Sequence, residues 1–447
     1  MDRRQPVAAY VHLPFCRRRC HYCDFPIVAV GDKPERADAA AESYVSLLLR
    51  EIRATPAVAG GDRPLQSLYF GGGTPSLTPP RLIAQIITEI RSRYGLEDDA
   101  ECTLEMDPGT FDAARLAAYL DAGVNRVSIG VQSFDHRVLK ASGRVHTIEQ
   151  IDAALALVLD SSRFPRLLSV SIDLIGGFPQ LSLSSWHQVL ERAIATGVHH
   201  LSVYDLQVEP ATFFGHLDRK GILSLPPDDV SAQMFRDGSS RLRAAGFEHY
   251  EVSSYGRLGH RSRHNLAYWA NEPFWAFGLG ATSYVSDRRL ARPRAMNEYE
   301  AWVTALEAPG GWAEAQHSQG ELEPYGGVEE LKTWLMLRLR TSEGISLQEL
   351  PRRYPDGLGD QVVQACVSAA AAMPAEWVEL GADSGSAEKV RRARERRDLA
   401  ARRKDVALAT AACLGNSSLR LRDPEGWLFS NSAISSIFNE IDLRWTA

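Results

Sequence analysis

No stretch of eighteen apolar residues occurs in this chain, so a bilayer-spanning helix is not expected. No unit recurs at a solenoid period. Charge of one sign is also lacking: 50 Lys and Arg stand against 56 Asp and Glu, a net charge of −6. That balance offers no global attraction for a polyanion, and no nucleic-acid partner is expected. Cysteine is sparse, six in 447 residues. Cys102, Cys366 and Cys413 are scattered, while Cys16, Cys20 and Cys23 fall within "PFCRRRCHYCDF" (14–25). An odd local cluster plus scattered thiols argues against a disulfide framework and suits a reduced compartment. Residues 1–7 are polar and charged, without an apolar secretory segment or a long Arg- and Ser-rich transit stretch. A cytoplasmic location is the expectation, a processed organellar form the alternative.

Three clustered thiols without a fourth pose a chemical question. Structural zinc usually takes four ligands, often as two CxxC pairs. No second pair follows here, and only His12 and His21 lie near enough in sequence to complete such a site. An iron–sulfur cubane has four irons, each normally taking one thiolate. Three thiolates would leave one iron open to a small molecule, by the logic that leaves a catalytic zinc a free position.

The first 290 residues alternate two patterns. Short β-rich runs occur at 7–13, 67–71, 102–106, 125–131, 167–175 and 200–206. Amphipathic stretches such as 42–54, 80–94 and 147–159 lie between them. Such alternation predicts βα units on a parallel sheet, an α/β fold. Six units predict a partial (β/α)6 TIM-like barrel, since eight close a full one; an open doubly wound sheet is the alternative. Notable polar residues stand where strands end: the cysteines, "GGGTPS" (71–76), Glu105, Gln132 and Asp173. In parallel barrels that end builds the active site. The expected organisation is a barrel domain over 1–305, a Gly-rich polar linker over 306–327, and a smaller, mostly helical domain over 328–447. Within the last, "EKVRRARERRDLAARRK" (388–404) is strongly basic. It reads as a solvated helix face, or as a docking surface for an acidic partner or membrane.

CxxxCxxC with Tyr22 before the last cysteine resembles the signature of the radical S-adenosylmethionine (SAM) proteins. The resemblance implies a [4Fe–4S] cluster on Cys16, Cys20 and Cys23, with SAM held by its amino and carboxylate groups on the open iron. It also implies an electron donor if the sulfonium is cleaved. Gly72, Gly73 and Thr74 resemble the family's "GGE"-type motif, whose backbone meets the amino group. Glu105 would face the amino-acid end of SAM. Gln132 and Asp173 would bond the ribose, Arg144 would neutralise a carboxylate, and Tyr10 and Tyr22 would border the adenine.

"YVHLPFCRRRCHYCDF", "YFGGGTPSLTP", "LEMDPGTFD", "RVSIGVQSF" and "DLIGGFP", in that order, resemble the oxygen-independent coproporphyrinogen III oxidase family. The resemblance covers most of residues 7–290 and, more loosely, the C-terminal domain; the stretch 379–413 fits poorly and reads as a basic insertion. Within the family the decarboxylase motif extends to CxxxCxxCxC; here that position is Phe25. The decarboxylase also carries a substantial N-terminal segment, whereas fifteen residues precede Cys16. "RHNLAYW" (263–269) resembles the HNxxYW motif of the HemW-type heme-chaperone branch. All three features imply the chaperone, which binds heme and passes it to acceptor heme proteins, among them an acceptor at a membrane. His264 would then offer a nitrogen to heme iron, with Tyr268 and Trp269 as a stacking wall. Without the resemblance, a histidine before an aromatic pair reads as structural. Anaerobic decarboxylation of coproporphyrinogen III is the alternative activity.

Overall fold

A computed structural model describes residues 5–57, 63–286, 288–317, 327–355, 357–381 and 418–445. Two compact units divide the chain. One comprises Met1–Glu248, Ser253–Tyr268 and Glu272–Leu322; the other comprises His249–Val252, Trp269–Asn271 and Glu323–Ala447.

The first unit is built on one sheet. Its strands are β1 (Ala8–Leu13), β2 (Leu65–Gly72), β3 (Leu96–Met106), β4 (Arg126–Gln132), β5 (Ser169–Gly176), β6 (His200–Asp205), β7 (Ser254–Gly256), β8 (Phe274–Phe277), β9 (Thr282–Val285) and β10 (Arg288–Ala291). They run in the order β10-β9-β8-β1-β2-β3-β4-β5-β6-β7. Strands β1 to β6 are the six expected from the sequence, and neighbours among them pair in parallel. The order does not return on itself, so the barrel is partial. Strand β8 adds a parallel neighbour on the far side of β1, one not anticipated from its four residues.

Side chains alternate along each strand, and the two faces differ in chemistry. On one face Val11, Leu68, Phe70, Leu104, Val127, Ile129, Ile172 and Leu201 are buried in the apolar core. Helices α1 (Pro34–Ala54), α2 (Pro80–Tyr94), α3 (Ala113–Ala122), α4 (Ile148–Val158), α5 (Leu183–Ala195) and α6 (Asp228–Ala244) follow the successive strands. Helix α2 buries Ile83, Ile86, Ile87 and Ile90, the i, i+3, i+4, i+7 stripe of an amphipathic helix. Local chemistry sets the starts. Asp112 caps α3, and Thr147 with Gln150 forms a capping box on α4. The other face of the strands is polar: Tyr69 bonds Glu105, Ser128 bonds Asp173, and Ser171 bonds His200.

Parts of the expected linker differ. Gly311–His317 is helical and belongs to the first unit, where the Trp312 ring lies 5.8 Å from Trp275. Residues 318–326 lie outside the described residues. The second unit contains helices Val328–Arg338, Leu358–Ala372 and Ser430–Trp445. It also holds a small antiparallel sheet in which Ser418–Leu421 lies between Ile345–Ser346 and Val378–Gly381. Strands of two to four residues are too short to show a period in the sequence. The basic run 388–404, and the expected insertion from residue 382 onward, lie outside the described residues.

Candidate functional site

A cavity of about 610 Å³ opens at the C-terminal ends of the parallel strands. That is the size of a small-molecule site. Its lining includes Cys16, Cys20, Cys23, Tyr22, Gly72, Gly73, Thr74, Glu105, Gln132, Arg144 and Asp173. Residues chosen along 158 positions of sequence thus converge on one wall, as the strand-end rule requires.

The cysteine loop is pinned on several sides. Phe15–Cys16 pairs in parallel with Val28–Ala29, closing the loop at its base. His21 N donates to Ser142 O at 3.0 Å, and Phe214 N donates to His21 O at 2.9 Å. His12 and His21 do not complete a metal site. His12 Nε2 is 2.9 Å from Pro26 O and its Nδ1 is 3.1 Å from the Tyr10 hydroxyl; His21 Nδ1 is 2.8 Å from Ala141 O. Among the described residues, no three His, Cys, Asp or Glu side chains converge tightly enough to hold a single ion. A cubane asks for less convergence, because each thiolate binds a different iron.

The surroundings of the sulfurs suit bound thiolates. Arg144 Nη1 donates to Cys20 Sγ at 3.5 Å, and Thr74 Oγ1 donates to Cys16 Sγ at 3.7 Å. Such outer-shell donors stabilise a ligating thiolate. Burial pushes the free Cys16 thiol up to about 12 and raises Cys23 as well. Loading a cluster must therefore expel protons. Arg144 is itself held: Nη2 pairs with Asp107 and donates to Gly130 O at 2.8 Å. Its buried Nε has no partner among the described residues. His146 Nδ1 lies 3.0 Å from Asp107. Burial would raise the Asp107 carboxyl, but Arg144 and His146 outweigh it and hold it below the usual carboxylate range. Asp107 and His146 were not anticipated. A signal existed for Asp107, which lies two residues after Glu105, just past the strand end.

Two further carboxyls line the cavity. Glu105 accepts from the Tyr69 hydroxyl at 2.8 Å and from Gly72 N at 3.1 Å. Burial, then repulsion from Asp173, lifts it to about 7. Asp173 accepts from Ser128 Oγ at 3.0 Å and is lifted by burial to about 6. A cationic ligand group would relieve both. Gln132 ends β4 with φ +65°, where the β4–β5 register slips between Ile129 and Gln132. A left-handed non-glycine residue beside a cavity is a strained conformation of the kind found at ligand sites.

The glycine turn does more than approach a ligand. A Cβ on Gly73 would lie 2.7 Å from Pro14 and Phe15 backbone atoms, and one on Gly72 would lie 2.6 Å from the His12 ring. These positions let the cysteine loop cross the end of β2. The N–H groups of Gly72, Gly73 and Thr74 are used by Glu105, Leu13 and Phe15. The turn therefore presents no spare N–H from these three residues to oppose an incoming ammonium.

Four residues lie elsewhere. Tyr10 does not line the cavity; its ring stacks on Tyr69 at 6.1 Å below it. His264, Tyr268 and Trp269 do not line it either. His264 is the second residue of the helix Arg263–Trp269, whose first N–H groups donate to Glu101. It is 2 % exposed. Its Nδ1 lies 3.0 Å from Ser67 Oγ, its Nε2 lies 2.9 Å from the Tyr268 hydroxyl, and its ring stacks on Tyr69 at 5.0 Å. Burial lowers it to about 3. Both ring nitrogens have hydrogen-bond partners, so an iron bond at His264 would require one of these bonds to be given up. Tyr268 packs on Phe274 at 4.3 Å. Trp269 ends the helix and falls in the second unit.

An open parallel barrel with three cysteines and convergent polar strand ends defines a radical SAM protein, and the profile of the Radical SAM superfamily matches residues 10–193. Closer relatives narrow this. The heme chaperone HemW of Synechocystis is 41% identical, covering 77% of this chain and 81% of that protein. HemW of Escherichia coli is 38% identical over 65% and 74% of the two chains. Mouse radical S-adenosyl methionine domain-containing protein 1, mitochondrial, is 34% identical over 78% and 76%. The chain belongs to the HemW family of radical SAM proteins. Its fold is that of coproporphyrinogen III oxidase (HemN) from Escherichia coli, with a TM-score of 0.72 at 19% identity over 97% of this chain and 90% of that one.

Proposed function

We propose that this protein is a heme chaperone, binding heme and handing it to an acceptor heme protein. In this reading Cys16, Cys20 and Cys23 hold a [4Fe–4S] cluster with SAM on the open iron. The observation that carries it is similarity to HemW proteins over most of the chain, 77% of it for the Synechocystis relative. The donors around the cavity fit these groups. Arg144 and Thr74 point at sulfurs, Glu105 offers a carboxylate to an ammonium, and Asp173 and Gln132 offer hydrogen bonds to a ribose. When bound, the cluster with SAM supplies radical chemistry, and an electron donor is then required. The chain's own residues position the ligand and exclude water. Among the described residues no helix is long and apolar enough to cross a membrane; we place the protein in the cytoplasm, with membrane-bound acceptors among its targets.

Decarboxylation of coproporphyrinogen III is the second reading, favoured by the complete SAM wall. Phe25 at the position of the decarboxylase's last cysteine weighs against it. The test begins with iron. Anaerobically reconstituted protein should be brown, bind about four irons per chain and take up hemin saturably. Replacing Cys16, Cys20 and Cys23 with alanine should abolish colour and iron. Colour and iron that survive the triple substitution would refute the cluster assignment.

A further inference from the structure

We propose that heme sits at the mouth of the cavity, over the cysteine loop, rather than at His264; the ligand's identity rests on the chaperone reading. Two features mark the mouth. The first is exposed aromatic surface. Phe25 is 63% exposed and Tyr204 45%, and both line the cavity. Phe213, 50% exposed, packs on His21 of the same loop at 4.6 Å. Large apolar groups gathered at one rim mark a binding surface more often than scattered ones do.

The second is cationic charge that is only partly compensated. Arg17, Arg18 and Arg19 occupy the gap between the first two cysteines, and all three line the cavity with Arg294. Arg17 donates to Gly109 O at 2.9 Å; Arg19 donates to Cys23 O at 3.1 Å and Phe25 O at 2.9 Å. Among the described residues no carboxylate pairs with either. Arg18 reaches Asp32 at 3.5 Å and Arg294 reaches Asp24 at 3.2 Å, both on open surface where such pairs are weak. Glu209 is the further acid of the lining near this rim.

Charge sorts the two ends of the cavity. The floor presents the carboxyls of Glu105 and Asp173 and suits the cationic sulfonium and ammonium of SAM. The mouth presents guanidinium groups, whose forks match carboxylates, and aromatic faces, which stack on a planar π-system. A flat apolar molecule with carboxylates on one edge satisfies both features of the mouth. Heme, with two propionates, is such a molecule.

The test is an anaerobic hemin titration of cluster-loaded protein, followed at the Soret band, with hemin dimethyl ester as second probe. Wild type is compared with Arg17→Glu/Arg19→Glu and with Phe25→Asp. The last alters an exposed side chain and decides the matter if the arginine pair also braces the loop. Each variant should raise the hemin Kd roughly tenfold or more. The arginine effect should shrink with the ester, which lacks the carboxylates. Hemin binding by wild type with unchanged Kd in both variants overturns the mouth site while leaving the chaperone reading intact. No saturable binding by wild type overturns both.

Discussion

Glu105 is where a single residue should report on SAM. Its carboxyl is lifted to about 7 by burial and then by Asp173, against the opposing bonds from Tyr69 and Gly72 N. An ammonium ligand needs the ionised form. SAM affinity should therefore rise as pH climbs through about 7 and level off above it. At pH 6 binding should be roughly tenfold weaker than at pH 8. Without ligand the sign reverses: the raised pKa contributes stability that is full below about 4.5 and lost as pH rises through about 7. Equilibrium SAM binding from pH 5.5 to 8.5, on wild type and Glu105→Gln, checks this; a variant with the wild-type pH slope would contradict it. Residue roles were legible to different depths. The cysteines and Glu105 were placed by spacing and strand ends, with the family resemblance supplying their expected ligands. The buried setting of His264 was not, because its partners Ser67 and Glu101 lie far away in the sequence.

At the scale of elements, polar residues where successive strands end pointed to one equipped end of the sheet, and the cavity opens there. What the sequence could not display is how the cysteine loop is fastened, since its anchors come from Ser142, Phe214 and the His12 ring. A second hidden fastening joins α1 to the β10 edge of the barrel. Glu51 and Arg292 are wholly buried and paired at 2.8 Å. Glu51 also accepts from the Tyr299 hydroxyl at 2.6 Å and Gly278 N at 2.8 Å. Removing one partner strands a buried charge, which costs about 3–5 kcal/mol. Glu51→Ala should lower unfolding stability by that amount in a urea titration, and Glu51→Met with Arg292→Met should lose much less. Equal losses in both would show that the pair itself, and not the stranded charge, sets the cost.

For the whole molecule, helical and strand periods sufficed to place the partial barrel and the end of it where the cavity opens. The small sheet of the second unit and the helix Gly311–His317 escaped notice because short elements show no period. Sequence similarity and the cavity address different halves of the function: the former suggests the cargo, the latter a cofactor chamber with a cationic rim. Heme hand-over joins them. Heme-loaded, cluster-containing protein would be mixed anaerobically with a heme-free acceptor enzyme, and the Soret spectrum of each partner followed after separation. The account predicts that heme moves to the acceptor and activates it. Heme retained throughout, with vinyl products formed from coproporphyrinogen III by the same preparation, would contradict it.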